Sequence, residues 1–283
     1  MTTLPGDAPG NNGSAIQALE HLVQQALSGL NTSLTIIGLC GAQGSGKSTL
    51  ARALKERFDR NGVPTALLSI DDLYRTRVER EMLGRASHPL LRTRGVPRTH
   101  DIDLGLGIIA SLERGEAAPL PRFDKAADDR LPDSAWEEAA PGTRLLLLEG
   151  WCVGARPQSE ADLASPVNQL EREEDAEGIW RHFVNSALAG SYQALFARID
   201  RLVFLAAPSF DVVLRWRNEQ EEELRGRAPS PGVMSGKEIA RFIQHYERLT
   251  RHMLDDLPRW ADMVIELAED RSVIAIRNRG GLL

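Results

Sequence analysis

The chain has 283 residues, 42% of them hydrophobic and 26% charged, with a formal net charge of -6. Such a composition is that of an ordinary globule with a sizeable core, and the acidic balance excludes a general attraction to nucleic acid or an anionic membrane while leaving a local basic cleft open. Cys40 and Cys152 each adjoin an apolar run and read as small buried hydrophobes in a reducing compartment. With no window near the roughly 18 apolar residues of a membrane span, and no apolar signal-peptide core at the start, a cytoplasmic protein is expected.

Residues 1–13 are rich in Gly, Pro and Asn and predict a flexible tail; the rest, 14–283, is expected to form a single domain. From Ser14, a candidate N-cap, apolar residues recur at three- and four-residue steps through Leu27, predicting an amphipathic helix that ends near Gly29. A first strand is expected over about 34–40. It runs into Gly41-Ala42-Gln43-Gly44-Ser45-Gly46-Lys47-Ser48, the full G-x-x-x-x-G-K-[ST] pattern, followed by Thr49 and a helix-forming run to about Asn61 with Gly62 as its cap. A loop that turns successive N–H groups toward a triphosphate needs glycine's dihedral freedom. The helix N-terminus then favours the anion, Lys47 adds a cation for the β- and γ-phosphates, and the Ser48 hydroxyl suits Mg2+.

A second strand is predicted over Val63 to Ile70, ending in Ser69-Ile70-Asp71-Asp72-Leu73-Tyr74. In doubly wound sheets ligands lie beyond the carboxyl ends of strands, so this acid pair would face the phosphate loop if the two strands are neighbours. Phosphoryl transfer to an alcohol needs one carboxylate to accept the hydroxyl proton and others to organise Mg2+. Either Asp71 or Asp72 is suited to this, and either would also serve as a turn cap. Residues 75–103 are rich in arginine around Gly95-Val96-Pro97-Arg98-Thr99-His100-Asp101. Arginine captures carboxylate or phosphate in bidentate fashion, so Arg98, Thr99, His100 and Asp101 are candidate acceptor contacts, with a structural role for His100 equally open.

A helix is expected over about Leu104 to Arg114, then an extended run, Pro119-Leu120-Pro121-Arg122-Phe123-Asp124-Lys125, which reads either as a strand edge with an ion pair or as an acceptor-binding segment. Thr143 to Leu148, with four consecutive leucines from Leu145, predicts a strand covered on both faces, and it ends in Glu149, the expected place for a second metal-organising acid. One or two helices are expected in Asp162 to Arg198. A strand over Arg201 to Ala206 follows, then a helix from Phe210 to Leu224 carrying Arg215 and Arg217, a Gly-, Pro- and Ser-rich loop, and a helix from Lys237 to Leu254. That helix, loop and helix suit a lid. Two residues apart, Arg215 and Arg217 cannot both face the phosphates from one regular helix, so one of them at most is expected to do so. Met263 to Leu267 and Val273 to Ile276 close the chain as short strands.

The phosphate loop, together with Ser69-Ile70-Asp71-Asp72-Leu73-Tyr74, Thr99-His100-Asp101, Pro121-Arg122-Phe123-Asp124-Lys125, Leu148-Glu149-Gly150-Trp151, Arg215-Trp216-Arg217 and Gly232-Val233-Met234-Ser235, resembles the kinase group that contains uridine kinase, phosphoribulokinase, pantothenate kinase and in particular D-glycerate 3-kinase. The resemblance implies an α/β fold: a P-loop NTPase, three-layer α/β/α, with a mainly parallel central sheet, acceptor-side segments over about 75–130, a helical insert over about 160–198 and a lid over about 215–237. It further implies ATP and Mg2+ as cofactors and transfer of the γ-phosphoryl group to a small hydroxy acid.

By the same resemblance, residues 41–49 hold ATP, and Lys47, Asp71 and Arg215 or Arg217 are catalytic. Ser48, Asp71 and Glu149 are expected to organise the metal, and Thr99, His100, Asp101, Arg122 and Asp124 match the acceptor side; Asp72, Tyr74 and Arg98 are further acceptor candidates on residue type and position alone. Arg98 stands where the glycerate enzymes carry a small residue, usually Gly, and Ala126-Ala127-Asp128-Asp129 follows their segment loosely. Acceptors of the uridine, pantothenate or sugar-phosphate kind, a P-loop ATPase and a nucleotide-binding module are the alternatives. The sequence leaves the oligomeric state open.

Overall fold

The computed structural model describes residues 12–29, 33–227 and 236–279. Most of the expected tail, and the lid loop with Gly232-Val233-Met234-Ser235, lie outside the described residues. In chain order, α1 (Asn12–Gly29) leads to β1 (Thr35–Gly41), α2 (Lys47–Arg60), β2 (Thr65–Ser69), α3 (Arg77–Ala86) and α4 (Ile102–Glu113). Four short strands follow, β3 (Ala118–Leu120), β4 (Phe123–Asp124), β5 (Asp129–Arg130) and β6 (Glu137–Ala139), and then the core strand β7 (Leu145–Gly150). The insert contains α5 (Glu160–Leu163), α6 (Gln169–Glu174), α7 (Ile179–Ala187) and α8 (Gln193–Phe196). The chain continues through β8 (Arg201–Ala206), α9 (Phe210–Arg227), α10 (Gly236–Asp256), β9 (Met263–Leu267) and β10 (Val273–Asn278).

Six strands form the central sheet in the order β10-β9-β8-β1-β7-β2, parallel except for β10. Every residue of β1 and β7 is buried, which is why both read as unbroken apolar runs. Helix α2 lies against β1, β2 and β7, and α1 against β1, α2 and β10. One continuous core joins sheet and helices, while Leu90, Leu91, Val96, Leu170 and Trp180 form a satellite cluster beneath the insert.

The expected strands appear within a residue or two of their predicted bounds, and four details differ. Ser14 lies inside the first turn of α1, so it is not the N-cap. The second strand does not neighbour the first: β7 lies between them, and the register aligns Leu39, Glu149 and Ser69 across the carboxyl edge. Helix α3 arises in the arginine-rich stretch, where Thr76 and Glu79 form a capping box. The insert holds four α-helices, α7 and α8 joined by a π-helical turn over Leu188–Tyr192, where one or two helices were expected. A buried ion pair within it joins Arg181 to Asp175 at 3.1 Å, and another ties it to α10, Arg248 to Glu171 at 2.6 Å.

Candidate functional site

The carboxyl edge of β1, β7 and β2 opens into a cleft of about 570 Å3. Its floor is the phosphate loop. Gly44 and Gly46 have φ of 81° and 85°, left-handed values that a side chain makes costly, and a Cβ on Gly44 would stand 2.5 Å from that of Trp216. Gly46 caps α2 without any side-chain hydrogen bond, so the first amides of that helix are free for an anion. Gln43, Gly44, Lys47 and Ser48 line the cleft. Gly41 and Ala42 are buried beneath, as is Ser45, whose Oγ lacks a partner, and Thr49 is exposed on the first turn of α2.

Beside the loop the Ser48 hydroxyl donates to Glu149 Oε1 at 2.9 Å. Glu149 is only 5% exposed, and its Oε2 has no partner. A buried carboxylate with one unsatisfied oxygen next to the loop serine fits a divalent cation, since Mg2+ is commonly held by one or two protein oxygens together with nucleotide phosphates and water.

Asp71 sits in the 3-10 turn after β2, where the Ser69 hydroxyl accepts its N–H at 3.3 Å. Its side chain takes two donors, Tyr74 OH to Oδ1 at 2.9 Å and Lys125 Nζ to Oδ2 at 2.7 Å. Burial pushes this carboxyl up, but the Lys125 and Lys47 ammoniums outweigh it and hold Asp71 well below the usual carboxylate range. Both oxygens of Asp71 are engaged by donors, whereas Glu149 keeps one free beside Ser48, so Glu149 is the better placed of the two acids to meet a cation. Asp72 is different. It accepts from Phe123 N at 3.0 Å and Arg122 Nη1 at 3.3 Å, yet burial, helped by neighbouring Asp71, pushes it up to about 6.

Tyr74 lines the cleft and stacks on His100 at 4.5 Å. The His100 Nδ1 in turn meets the Tyr192 hydroxyl, and burial lowers this imidazole to about 3, so it is neutral. The aromatic column holds the Tyr74 hydroxyl in place. Four acceptor contacts expected from the sequence do not face the cleft. Thr99 is fully buried and braces its own loop through Gly95 N and Val96 O, and Asp101 caps α4 and accepts from Arg130. His100 stands behind Tyr74, and Asp124 accepts the Ala126 and Ala127 amides in the turn after β4.

Arg98 is also turned away, its guanidinium over Phe183 at 5.4 Å. It has φ of 92°, which explains the expectation of glycine at this position. Of the two arginines on α9, Arg217 lines the cleft, whereas Arg215 pairs with Glu269 at 2.9 Å outside it. Arg122 lines the cleft between Asp72 and Glu137.

Lys125, Arg94 and Tyr246 are among the cleft residues that the sequence reading did not pick out as site residues. Lys125 was seen only as part of a charged segment. Arg94 was one arginine among many; in the structure it pairs with Asp128 and lies 5.6 Å from the Phe123 ring. Tyr246, on the last long helix, donates to Arg94 O at 3.1 Å and meets Trp151 edge-on. Its role depends on a contact across 152 residues, for which no local signal exists.

The model of the phosphoribulokinase/uridine kinase family matches residues 36–157. An uncharacterized kinase of Schizosaccharomyces pombe, mug58, is 36% identical over 222 residues, covering 75% of this chain and 78% of its own length. The chain belongs to the phosphoribulokinase/uridine kinase family. This P-loop kinase is also 30% identical over 259 residues to the chloroplastic D-glycerate 3-kinase of Arabidopsis thaliana, covering 84% of this chain and 54% of that longer protein. Among solved structures, D-glycerate 3-kinase from Cryptococcus neoformans superposes with a TM-score of 0.79 at 24% identity, over 95% of this chain and all of that one, which shows a common fold.

Proposed function

We propose that this kinase transfers the γ-phosphoryl group of ATP to a hydroxyl of a small hydroxy acid, with D-glycerate as the first acceptor to test. The observation that carries the reading is the meeting, in one cleft, of a phosphate-loop helix with free first amides, the Ser48–Glu149 pair and a half-buried carboxylate, Asp71, at the adjoining strand end. A nucleotide switch needs the first two. The third is suited to taking a proton from an alcohol.

In this reading the loop amides and Lys47 hold the phosphates, and Asp71 orients and deprotonates the acceptor hydroxyl. Arg217, on the cleft wall, stabilises charge on the transferred group. Mg2+, held by Ser48 and Glu149, would neutralise the nucleotide's phosphate charge. Arg94, Arg122 and Lys125 make the acceptor side cationic, which favours an acid, and the resemblance to the Arabidopsis D-glycerate 3-kinase points to the same class.

The test is ADP release with ATP and Mg2+ against D-glycerate, other hydroxy acids, pantothenate, sugar phosphates and nucleosides. D-glycerate is expected to raise the rate well above the acceptor-free one, and Asp71→Asn to lower it by roughly 1000-fold while ATP still binds. Stimulation by a different compound alone would replace the acceptor. Equal release in every well would make water the acceptor and overturn the reading.

A further inference from the structure

The contact between Lys125 and Asp71 has a chemical consequence of its own. Lys125 opens the turn between β4 and β5, and that turn is firmly held: Asp124 accepts the Ala126 and Ala127 amides, Leu131 N donates to Arg122 O at 2.8 Å, and Arg80 and Arg94 both pair with Asp128. From this base the lysine reaches across the cleft to Asp71 Oδ2 at 2.7 Å, although its side chain is 62% exposed. The proton-accepting carboxylate is therefore tied up by a cation that incoming solute can reach.

We propose that Lys125 is the specificity-determining residue of this site: it recognises an anionic group on the acceptor and, by changing partner, releases Asp71 for the acceptor's hydroxyl. The inference rests on the kinase reading above. An ammonium is a point charge with three donors on a flexible stem, so it can shift between carboxylates without the fixed geometry a guanidinium demands.

When the acceptor's carboxylate or phosphate takes the ammonium, the ion pair is exchanged rather than broken, and Asp71 keeps its bond from Tyr74 with one oxygen free. An uncharged acceptor must separate the pair with nothing in return. The step then balances. The hydroxyl proton passes to Asp71, the acceptor oxygen bonds to the γ-phosphorus, and the bond from that phosphorus to the β–γ bridging oxygen breaks, releasing ADP.

The experiment compares wild type, Lys125→Met and Lys125→Arg on D-glycerate and on its uncharged amide, glyceramide, with the KM for ATP measured in parallel. Wild type is expected to prefer the acid by roughly 100-fold or more in kcat/KM, as a site built around a charged partner does. Lys125→Met should raise KM for the acid by roughly 100-fold with a smaller change in kcat, and leave the amide unchanged or improved, so that the preference collapses. Lys125→Arg should recover part of the affinity for the acid.

Equal losses on acid and amide, or an unchanged KM for the acid, would overturn the role of Lys125 while leaving the kinase reading intact. If wild type turns over neither compound, nor any acid in the wider panel, that reading falls and this inference with it.

Discussion

Asp71 and Asp72 are adjacent in sequence and opposite in character. Cations hold Asp71 ionised, while Asp72 pays for its place under Arg122 and Phe123 with a carboxyl raised from 3.8 to about 6. In the unfolded chain Asp72 loses its proton near pH 4, and in the folded state near pH 6. Between those values the folded state binds more protons, so this group's contribution to stability falls as pH rises, and above pH 6 the full cost, at most about 3 kcal/mol, is present.

Asp72→Asn removes that cost. In metal-free buffer its stability relative to wild type should be lowest near pH 4 and grow by about 2 kcal/mol by pH 7, less what Arg122 loses as a partner; parallel denaturation curves would contradict this. Arg98 has the other unusual local cost. At φ of 92° a side chain sits in a region that costs about 1–2 kcal/mol, partly offset here by contact with Phe183. Arg98→Gly is expected to leave kcat/KM within about twofold of wild type and stability equal or up to about 1 kcal/mol higher, glycine's extra unfolded-state entropy taking back the rest. A large rise in acceptor KM would place Arg98 in the site after all.

The phosphate loop depends on elements far from it in sequence. Arg271, at the tip of the β9–β10 hairpin, donates to Gly44 O at 2.7 Å and to Glu219 at 2.6 Å, and its guanidinium lies 5.3 Å from the Trp216 ring. Trp216 is fully buried and donates to Glu269 O at 2.7 Å, so hairpin, α9 and loop brace one another. A charged hydrogen bond of this kind contributes about 1.5–3 kcal/mol. Arg271→Ala should therefore weaken ATP binding by roughly 10-fold, read by calorimetry, with a smaller effect on acceptor KM; an unchanged Kd would show that the loop holds its shape alone.

Nothing in the sequence announces Arg271, because its partners lie about 50 and 230 residues away and no period or motif links them. The sheet strands were legible for the opposite reason. β1 and β7 are buried on both faces, so their apolar runs are unbroken, and the loop motif needs its residues consecutive. Asp71 and Glu149 were legible from their places at strand ends. The arginine-rich stretch was not: Arg80 is a buried hub bonded to Arg75 O, Arg92 O and Asp128 O, Arg94 faces the cleft and Arg98 faces the insert, and only the fold separates these fates.

At the scale of the molecule, charge is distributed against the average. The chain carries a net charge of -6, yet the cleft is lined by seven Lys and Arg against four Asp and Glu. A concave, basic surface in an acidic protein concentrates its field where low-dielectric walls shield it from solvent, and so draws anionic solutes, a nucleotide among them, toward the site while the remaining surface repels them. Arg52 and Lys55, one turn apart on α2, extend this basic lining along the helix.

Steering of this kind acts over distances comparable to the Debye length, which falls from about 10 Å at 0.1 M salt to about 3 Å at 1 M. The direct contacts, Lys125 to Asp71 and Ser48 to Glu149, are too short to be screened in the same way. Raising KCl from about 0.05 to 0.5 M should thus increase the KM of ATP and of an acidic acceptor by roughly 10-fold while kcat changes by less than about twofold. An uncharged acceptor analogue, turned over slowly, should show no such rise. If its KM climbs in step with that of the acid, salt acts on the fold, and the field of the cleft is not what gathers the substrates.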